Sequence, residues 1–278
     1  MQLVSGQKQI SLNRPHVMGI LNVTPDSFSD GGHHNSVERA CEHADLMVSQ
    51  GASFIDIGGE STRPGAADVT LEQELDRVIP LVKYVSANHD VWISVDTSKP
   101  QVMQEAVDNG AHLINDVRAL QEPGALATAA KLNVPICLMH MQGQPRTMQQ
   151  SPVYGDIVAD IVQFFDARIK ACEEQGIDRS QIILDPGFGF GKTLANNYEL
   201  LNRLAEFNCF ELPLLIGLSR KSMIGQLLQA DVNQRLAGSL TAAMLSVQQG
   251  ANILRVHDVK ETVDMLKVMH ATTHFKTL

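Results

Sequence analysis

Along the chain, short runs of aliphatic and β-branched residues alternate with longer stretches whose apolar positions recur every three or four residues. This is the pattern of buried strands followed by amphipathic helices. Eight such runs are legible: HVMGILN (16–22), FIDIGG (54–59), WISVDT (92–97), HLINDV (112–117), PICLMHM (135–141), QIILDPG (181–187), LPLLIGLS (212–219) and NILRVHDV (252–259). Most are apolar almost throughout, as parallel strands covered on both faces are.

The intervening segments carry helix punctuation. Ser36 is placed to cap a helix whose apolar positions Val37, Ala40, Cys41, Ala44, Met47 and Val48 share one face, and Gly51 closes it. Thr70 and Gln73 have capping-box spacing ahead of Leu75, Val78, Ile79, Val82 and Val85, while Pro80 predicts a kink or a restart. Ser98 and Pro100 mark a third helix start and Gly110 its end. Helical patterns also fill 152–175, 195–207, 233–249 and 260–272, and residues 2–12 read as a short polar hairpin.

Eight β-then-α units with no linker or low-complexity tract between them predict an α/β fold: one (β/α)8 TIM barrel with an N-terminal β-hairpin, a single domain over 1–278. The alternative is a two-domain α/β arrangement split near residue 145, where MQGQPRTMQQSP is polar but short for an interdomain linker.

Composition narrows the function. With 44% apolar and 19% charged residues the chain can bury a full core, which excludes disorder as its main state. A net charge of −9 argues against a surface made for a nucleic-acid backbone or an acidic membrane, but leaves room for an anionic small molecule in a local basic pocket. The N-terminus lacks the apolar core of a signal peptide and no apolar run is long enough to span a bilayer, so the expected location is the cytoplasm. Cys41, Cys137, Cys172 and Cys209 are far apart without metal-ligand spacing and read as reduced thiols.

In a barrel the C-terminal strand ends share one mouth, so polar residues distant in sequence become neighbours there. The candidates are Asn22, Glu60 with Thr62 and Arg63, Asp96, Asn115 with Asp116, His140, Asp185, Ser219 with Arg220 and Lys221, and Arg255 with His257. One buried Asp at a strand end is commonly a satisfied structural group; several converging carboxylates and amides are the mark of a site. LSRKSMIG after the seventh strand, with Arg255 and His257 on one face of the eighth, points to phosphate, which barrels often hold there. Arg220 and Lys221 read either as part of that site or as a solvated surface pair. His140 fits a packed core histidine and a ligand equally well.

DPGFGFGKT (185–193) invites a phosphate-loop reading, but three residues rather than four separate Gly187 from Gly191, and no strong helix is expected directly after Thr193. Its glycines read instead as a tight turn that lets backbone and Phe190 approach a flat ligand. The loops VTPDSFSDGGHHN and GGESTRPGA exceed the usual βα connection of about 2–6 residues and read as lids carrying Asp26, Asp30 and Arg63 over the mouth.

MGILNVTPDSFSDGG (18–32), DIGGESTRPGA (56–66), SVDTSKP (94–100), IND (114–116), LMHMQG (138–143), DPGFGFGKT (185–193), LSRKSMIG (218–225) and RVHDV (255–259) together resemble the bacterial dihydropteroate synthases of the pterin-binding family. The resemblance runs through essentially the whole chain. It implies a transferase of folate biosynthesis that condenses 6-hydroxymethyl-7,8-dihydropterin diphosphate with 4-aminobenzoate, giving 7,8-dihydropteroate and pyrophosphate with Mg²⁺ as cofactor. It further implies a pterin pocket of Asp96, Asn115, Asp185 and Lys221, and a diphosphate site of Asn22, Arg255 and His257. Asn22 and Asp30 would ligate Mg²⁺. Thr62 and Arg63 would close over the site, and Ser219, Phe28, Phe190 and Lys221 would border the aminobenzoate. Asp96, Asp185, Lys221, Arg255 and His257 would carry the catalysis by stabilising charge, without a covalent nucleophile.

The same resemblance implies a homodimer through helices near the C-terminus and competition by sulfonamides, with Phe28 and Pro64 as positions affecting sensitivity. Two other readings are distinguishable. A pterin-binding methyltransferase barrel would not need the Arg255 and His257 pair, and a barrel that had lost catalysis would lack some of Asn22, Asp185, Lys221 and Arg255; all are present.

Overall fold

The computed structural model describes residues 1–23, 33–61, 69–143, 148 and 152–277, without the side chains of 33–36 and 277. An antiparallel hairpin of β1 (Gln2–Ser5) and β2 (Lys8–Ser11) precedes β3 (His16–Asn22), β4 (Phe54–Gly58), β5 (Trp92–Asp96), β6 (Leu113–Asp116), β7 (Ile136–Met139), β8 (Ile182–Asp185), β9 (Leu215–Ile216) and β10 (Ile253–Val256). The last eight are parallel neighbours in the order β8-β7-β6-β5-β4-β3-β10-β9. A single parallel bridge between Leu184 and Leu214 joins the two edges, and the Leu184 amide donates to the Pro213 carbonyl at 2.9 Å. The sheet is thus an eight-stranded parallel barrel, as the strand count predicts, and the hairpin also stands where it was expected.

The seventh run, 212–219, pairs as a strand only at Leu215 and Ile216. Pro213 has no amide proton to give, but its carbonyl accepts one of the bonds that close the barrel there.

Helices cover the barrel: α1 (His33–Ser49), α2 (Leu71–Asn88), α3 (Pro100–Asp108), α4 (Ala125–Leu132), α5 (Ile157–Glu174), α6 (Leu194–Asn202), α7 (Ser222–Leu228), α8 (Leu236–Gln248) and α9 (Val259–Thr273). The Thr70 capping box forms as predicted. Three expectations need correction. α1 begins at His33, so Ser36 lies inside the helix rather than capping it. α2 runs unbroken past Pro80, because packing of Val78, Leu81, Val82 and Val85 against the barrel outweighs the one lost backbone bond. Ser98 caps nothing; its hydroxyl is bonded to Asp116, and Pro100 starts α3 without a side-chain cap. Among the described residues no helix is long and apolar enough to cross a membrane.

The nearly continuous apolar strands conceal a period of two. Val17, Leu21, Ile55, Ile57, Ile93, Val95, Ile114, Leu138, Leu184 and Val256 point outward into the core shared with the helices. Their neighbours point inward in layers. Met18, Phe54, Trp92, Leu113, Ile183 and Ile253 fill the bottom, sealed by Leu3 and Leu12 beside the hairpin. Each large side chain so buried contributes about 1.5–3 kcal/mol. Above them the interior becomes polar. The register aligns Asp56 with Ser94, and one layer higher Asn22, Gly58, Asp96 and Asn115 lie in a single row across β3 to β6. The inward face therefore delivers its polar groups to the C-terminal mouth.

Candidate active site

The mouth opens on a cleft of about 850 Å³ whose wall includes Asn22, Asp96, Lys221, Arg255 and His257. Gly58 keeps the row at its base open, since a Cβ there would sit 3.3 Å from Asp96 Cβ and 3.4 Å from Asn22 Oδ1.

Arg255 is the hub of the barrel interior. Its Nε donates to Asp56 Oδ2 at 2.6 Å and its Nη2 to Asp96 Oδ2 at 2.7 Å. Asp56 is fully buried and also accepts from the Ser94 hydroxyl at 2.5 Å and, more weakly, from Asn115 Nδ2 at 3.3 Å. Burial raises the Asp96 carboxyl to about 7, against the pull of the Arg255 cation. Two carboxylates in a low-dielectric interior thus share one guanidinium.

Asp185, at the end of β8, accepts from the Gly187 amide at 2.8 Å, and burial raises its pKa too. Lys221 faces it across the cleft with its ammonium 4.3 Å from the centre of the Phe190 ring, a cation–π geometry. Burial pulls the Lys221 amine down to about 8, although Asp185 favours its charged form. Asp96 and Lys221 are therefore poised near neutrality and Asp185 is shifted in the same direction as Asp96, the marking of a functional site.

His257 follows β10. Ser219 Oγ accepts from the His257 backbone amide at 3.1 Å and lies 3.1 Å from its Nδ1. The oxygen has two lone pairs and one proton, so it serves the Nδ1 of either neutral tautomer. Burial, reinforced by Arg255, lowers His257 to about 4, so near neutral pH it is an uncharged donor.

Other expected mouth residues have structural partners. Asp116 accepts from the amides of Arg118 and Leu120, both at 2.8 Å, and shapes the turn after β6. Arg220 forks onto Asp258, with Nε at 3.0 Å, while still lining the cleft, so it is not a purely solvated cation. Glu60 is ion-paired to Lys99, which also holds buried Glu74, and Glu74 accepts from Thr97 at 2.5 Å. His140 packs edge-on against Phe164 with ring centres 5.0 Å apart, and burial lowers it to about 2. It is the packed core histidine of the two readings.

Thr193 gives a further correction. It is the N-cap of α6, with a capping box to Asn196, so a helix does follow it at once. The spacing argument against a phosphate loop stands, and the lysine settles the matter: buried Lys192 turns back to the Gly187 and Phe190 carbonyls at 2.8 and 3.1 Å.

Asp56, Ser94 and Lys192 escaped sequence reasoning. Asp56 and Ser94 had a signal: each lies two positions before a residue of the cleft-base row and so shares its face. Phe28, Asp30, Thr62, Arg63, Asp26 and Pro64 lie outside the described residues.

The residues present suit Mg²⁺. Asn22 offers a hard amide oxygen at the cleft wall, and Mg²⁺ commonly takes one or two protein oxygens together with substrate phosphates. A cage is not needed; among the described residues no group of three or more His, Cys, Asp and Glu forms one.

Comparison with known proteins gives a consistent result. The family model for pterin binding enzymes matches residues 18–257. The dihydropteroate synthase of Escherichia coli K12 is 58% identical over 276 residues, 99% of this chain and 98% of that one. A crystal structure of the Yersinia pestis dihydropteroate synthase in complex with a sulfonamide drug superposes with a TM-score of 0.94 at 57% identity, covering 98% of this chain and 99% of the other. That of the Xanthomonas albilineans dihydropteroate synthase with 4-aminobenzoic acid gives 0.93 at 49% identity, with 98% of each chain covered.

Proposed function

The chain belongs to the dihydropteroate synthases of the pterin-binding enzyme family, and from that premise we propose how its residues carry out the condensation of 6-hydroxymethyl-7,8-dihydropterin diphosphate with 4-aminobenzoate. The observation that carries the assignment of roles is the convergence of Asp96, Asn115, Asp185 and Lys221 with Arg255 and His257 at one barrel mouth.

A pterin ring edge presents N–H donors and a carbonyl acceptor. Asp96 and Asp185 accept from the former, Lys221 donates to the latter, and Asn115 supplies one of each. Asn22, Arg255 and neutral His257 hold the diphosphate. Asn22 and Asp30 would hold Mg²⁺, which would supply charge neutralisation for the diphosphate.

The C–O bond to the diphosphate breaks, the pair of electrons leaves with pyrophosphate, and the positive charge spreads from the methylene over the pterin. Asp96 and Asp185 stabilise that charge from fixed positions, which is worth several kcal/mol where water is excluded. The arylamine nitrogen then forms the C–N bond and loses a proton. Phe190 and Lys221, stacked against each other, border the path of the aryl ring, with Ser219 beside it. The roles of Phe28 beside the aminobenzoate and of Thr62 and Arg63 in closing the site rest on the family resemblance.

The whole chain, 1–278, works as one pterin-binding unit in the cytoplasm and pairs as a homodimer. Exposed Leu227 and Leu228 on α7 and Leu245 on α8 supply apolar side chains near the C-terminus that support the pairing. Sulfonamides compete at the aminobenzoate position.

The test is pyrophosphate release by purified protein given the dihydropterin diphosphate and Mg²⁺, with and without 4-aminobenzoate. Release coupled to dihydropteroate formation is expected. Folded protein that performs neither reaction would overturn the reading.

A further inference from the structure

Lys192 is the one charged residue of the DPGFGFGKT run that the condensation does not use, and it is 3% exposed. All three protons of its ammonium have acceptors: the Gly187 carbonyl at 2.8 Å, the Phe190 carbonyl at 3.1 Å and His140 Nδ1 at 3.1 Å. None of these is a carboxylate. Burial accordingly draws the Lys192 amine down to about 7, with Asp185 opposing. A cation kept among neutral acceptors is costly unless something requires it there.

Its partners define what is held. Gly187 and Phe190 are the ends of one turn, closed by a bond from the Phe190 amide to the Gly187 carbonyl at 3.1 Å. The turn lies flush on the end of β7, where His140, the third acceptor, follows the strand. A Cβ on Gly187 would come 1.9 Å from the His140 carbonyl oxygen. From the far side the Tyr154 hydroxyl donates to the Gly191 carbonyl at 2.7 Å, and Asn197 accepts from the Gly189 amide at 2.7 Å. The side chain that emerges from this tied loop into the cleft is Phe190, on which the Lys221 ammonium rests.

We propose that Lys192 is a positioning residue for the arylamine end of the cleft: it clamps the 187–190 turn onto His140 and so fixes the Phe190 ring. The role rests on the condensation reading given above. It differs for the two substrates. Asp96, Asn115 and Asp185 sit on strands held by the barrel's own hydrogen bonds and Lys221 on the N-cap of α7, so the pterin pocket depends on the clamp less than Phe190 does. Phe190 sits on the turn itself.

The experiment is steady-state kinetics on the full chain, with the KM of each substrate measured separately. Turnover by the unaltered chain tests the condensation reading by itself, independently of Lys192. Lys192→Met fills the same space with no donor and takes away the bonds that hold the Gly187 and Phe190 carbonyls and His140 together. It is expected to raise the KM for 4-aminobenzoate about tenfold, which corresponds to about 1.4 kcal/mol, while the KM for the dihydropterin diphosphate changes by less than about threefold, within the context scatter of such effects. If methionine prevents folding, Lys192→Gln, a shorter arm with two donors, carries the same expectation. Because Lys192 acts through Phe190, combining the substitution with Phe190→Leu should add little to the larger single effect. Equal rises in both KM values, or additive effects in the double variant, overturn the proposal and reduce Lys192 to a fold-stabilising residue.

Discussion

Arg255 and Asp96 are direct partners, Nη2 to Oδ2 at 2.7 Å. The cation assigned to the diphosphate and a carboxylate assigned to the pterin are thereby one electrostatic unit. Arg255→Ala or Asp96→Ala should each lower kcat/KM by roughly 10²-fold or more, the scale of losing one preorganised charge contact. Because each disturbs the other, the double variant should be less damaged than the product of the two. Turnover close to that of the unaltered enzyme in either single variant would refute the roles given.

The pH dependence follows from two opposed shifts. Asp96, raised to about 7, gains its charge as pH climbs through that value, and its acceptor role needs the charge. Lys221, lowered to about 8, loses its charge above that value. The kcat/KM for the dihydropterin diphosphate should therefore peak between the two and fall on both sides. Lys221→Arg, which stays protonated, should remove the basic limb. The diphosphate titrates identically in both proteins, so the difference between their profiles is the measurement; superimposable profiles would contradict the assignment.

Asp56 stabilises the hub without lining the cleft. Asp56→Ala strands the Arg255 guanidinium with one carboxylate in place of two, and removing one partner of a buried pair costs roughly 3–5 kcal/mol. Chemical denaturation should show a loss of this order. A loss under about 1 kcal/mol, the scale of an exposed pair, would mean that water reaches the site and replaces the missing partner.

Gly187 has φ +71 with the His140 carbonyl where a side chain would begin. Gly187→Ala adds left-handed strain of about 1–2 kcal/mol to a clash that relaxes only if the turn lifts off β7. Thermal denaturation should detect the first, and a weakened response to 4-aminobenzoate the second. An alanine variant with unaltered Tm and kinetics would show that the turn moves at no cost.

Removing Asn22 tests the metal. Asn22→Ala should raise the Mg²⁺ concentration giving half-maximal activity, with chelator abolishing turnover in both proteins. An unchanged Mg²⁺ requirement would take Asn22 out of the ligand set.

Much of the molecule was legible as a linear pattern. The eight strand runs, the hairpin and the convergence of Asn22, Asp96, Asn115, Lys221, Arg255 and His257 follow from periodicity, strand ends and barrel topology. Local signals failed where tertiary packing outweighed them. Pro80 is carried inside α2 by the apolar face around it, and Ser98 gives its hydroxyl to Asp116 instead of a helix. The motif at 185–193 was assigned correctly as a turn, yet the direction of its lysine was not readable, because a side chain's partners depend on what the fold brings beside it.

The sequence by itself determined which residues alternate between the two faces of each strand, and so which could meet at the mouth. Only the tertiary structure decided their pairings: Arg255 between Asp56 and Asp96 across nearly two hundred residues of chain, and Lys192 folded back onto His140. The physical reason is that periodicity is a property of the local backbone, whereas burial and the distance between charges, which set ionisation and strength, exist only once the barrel has closed.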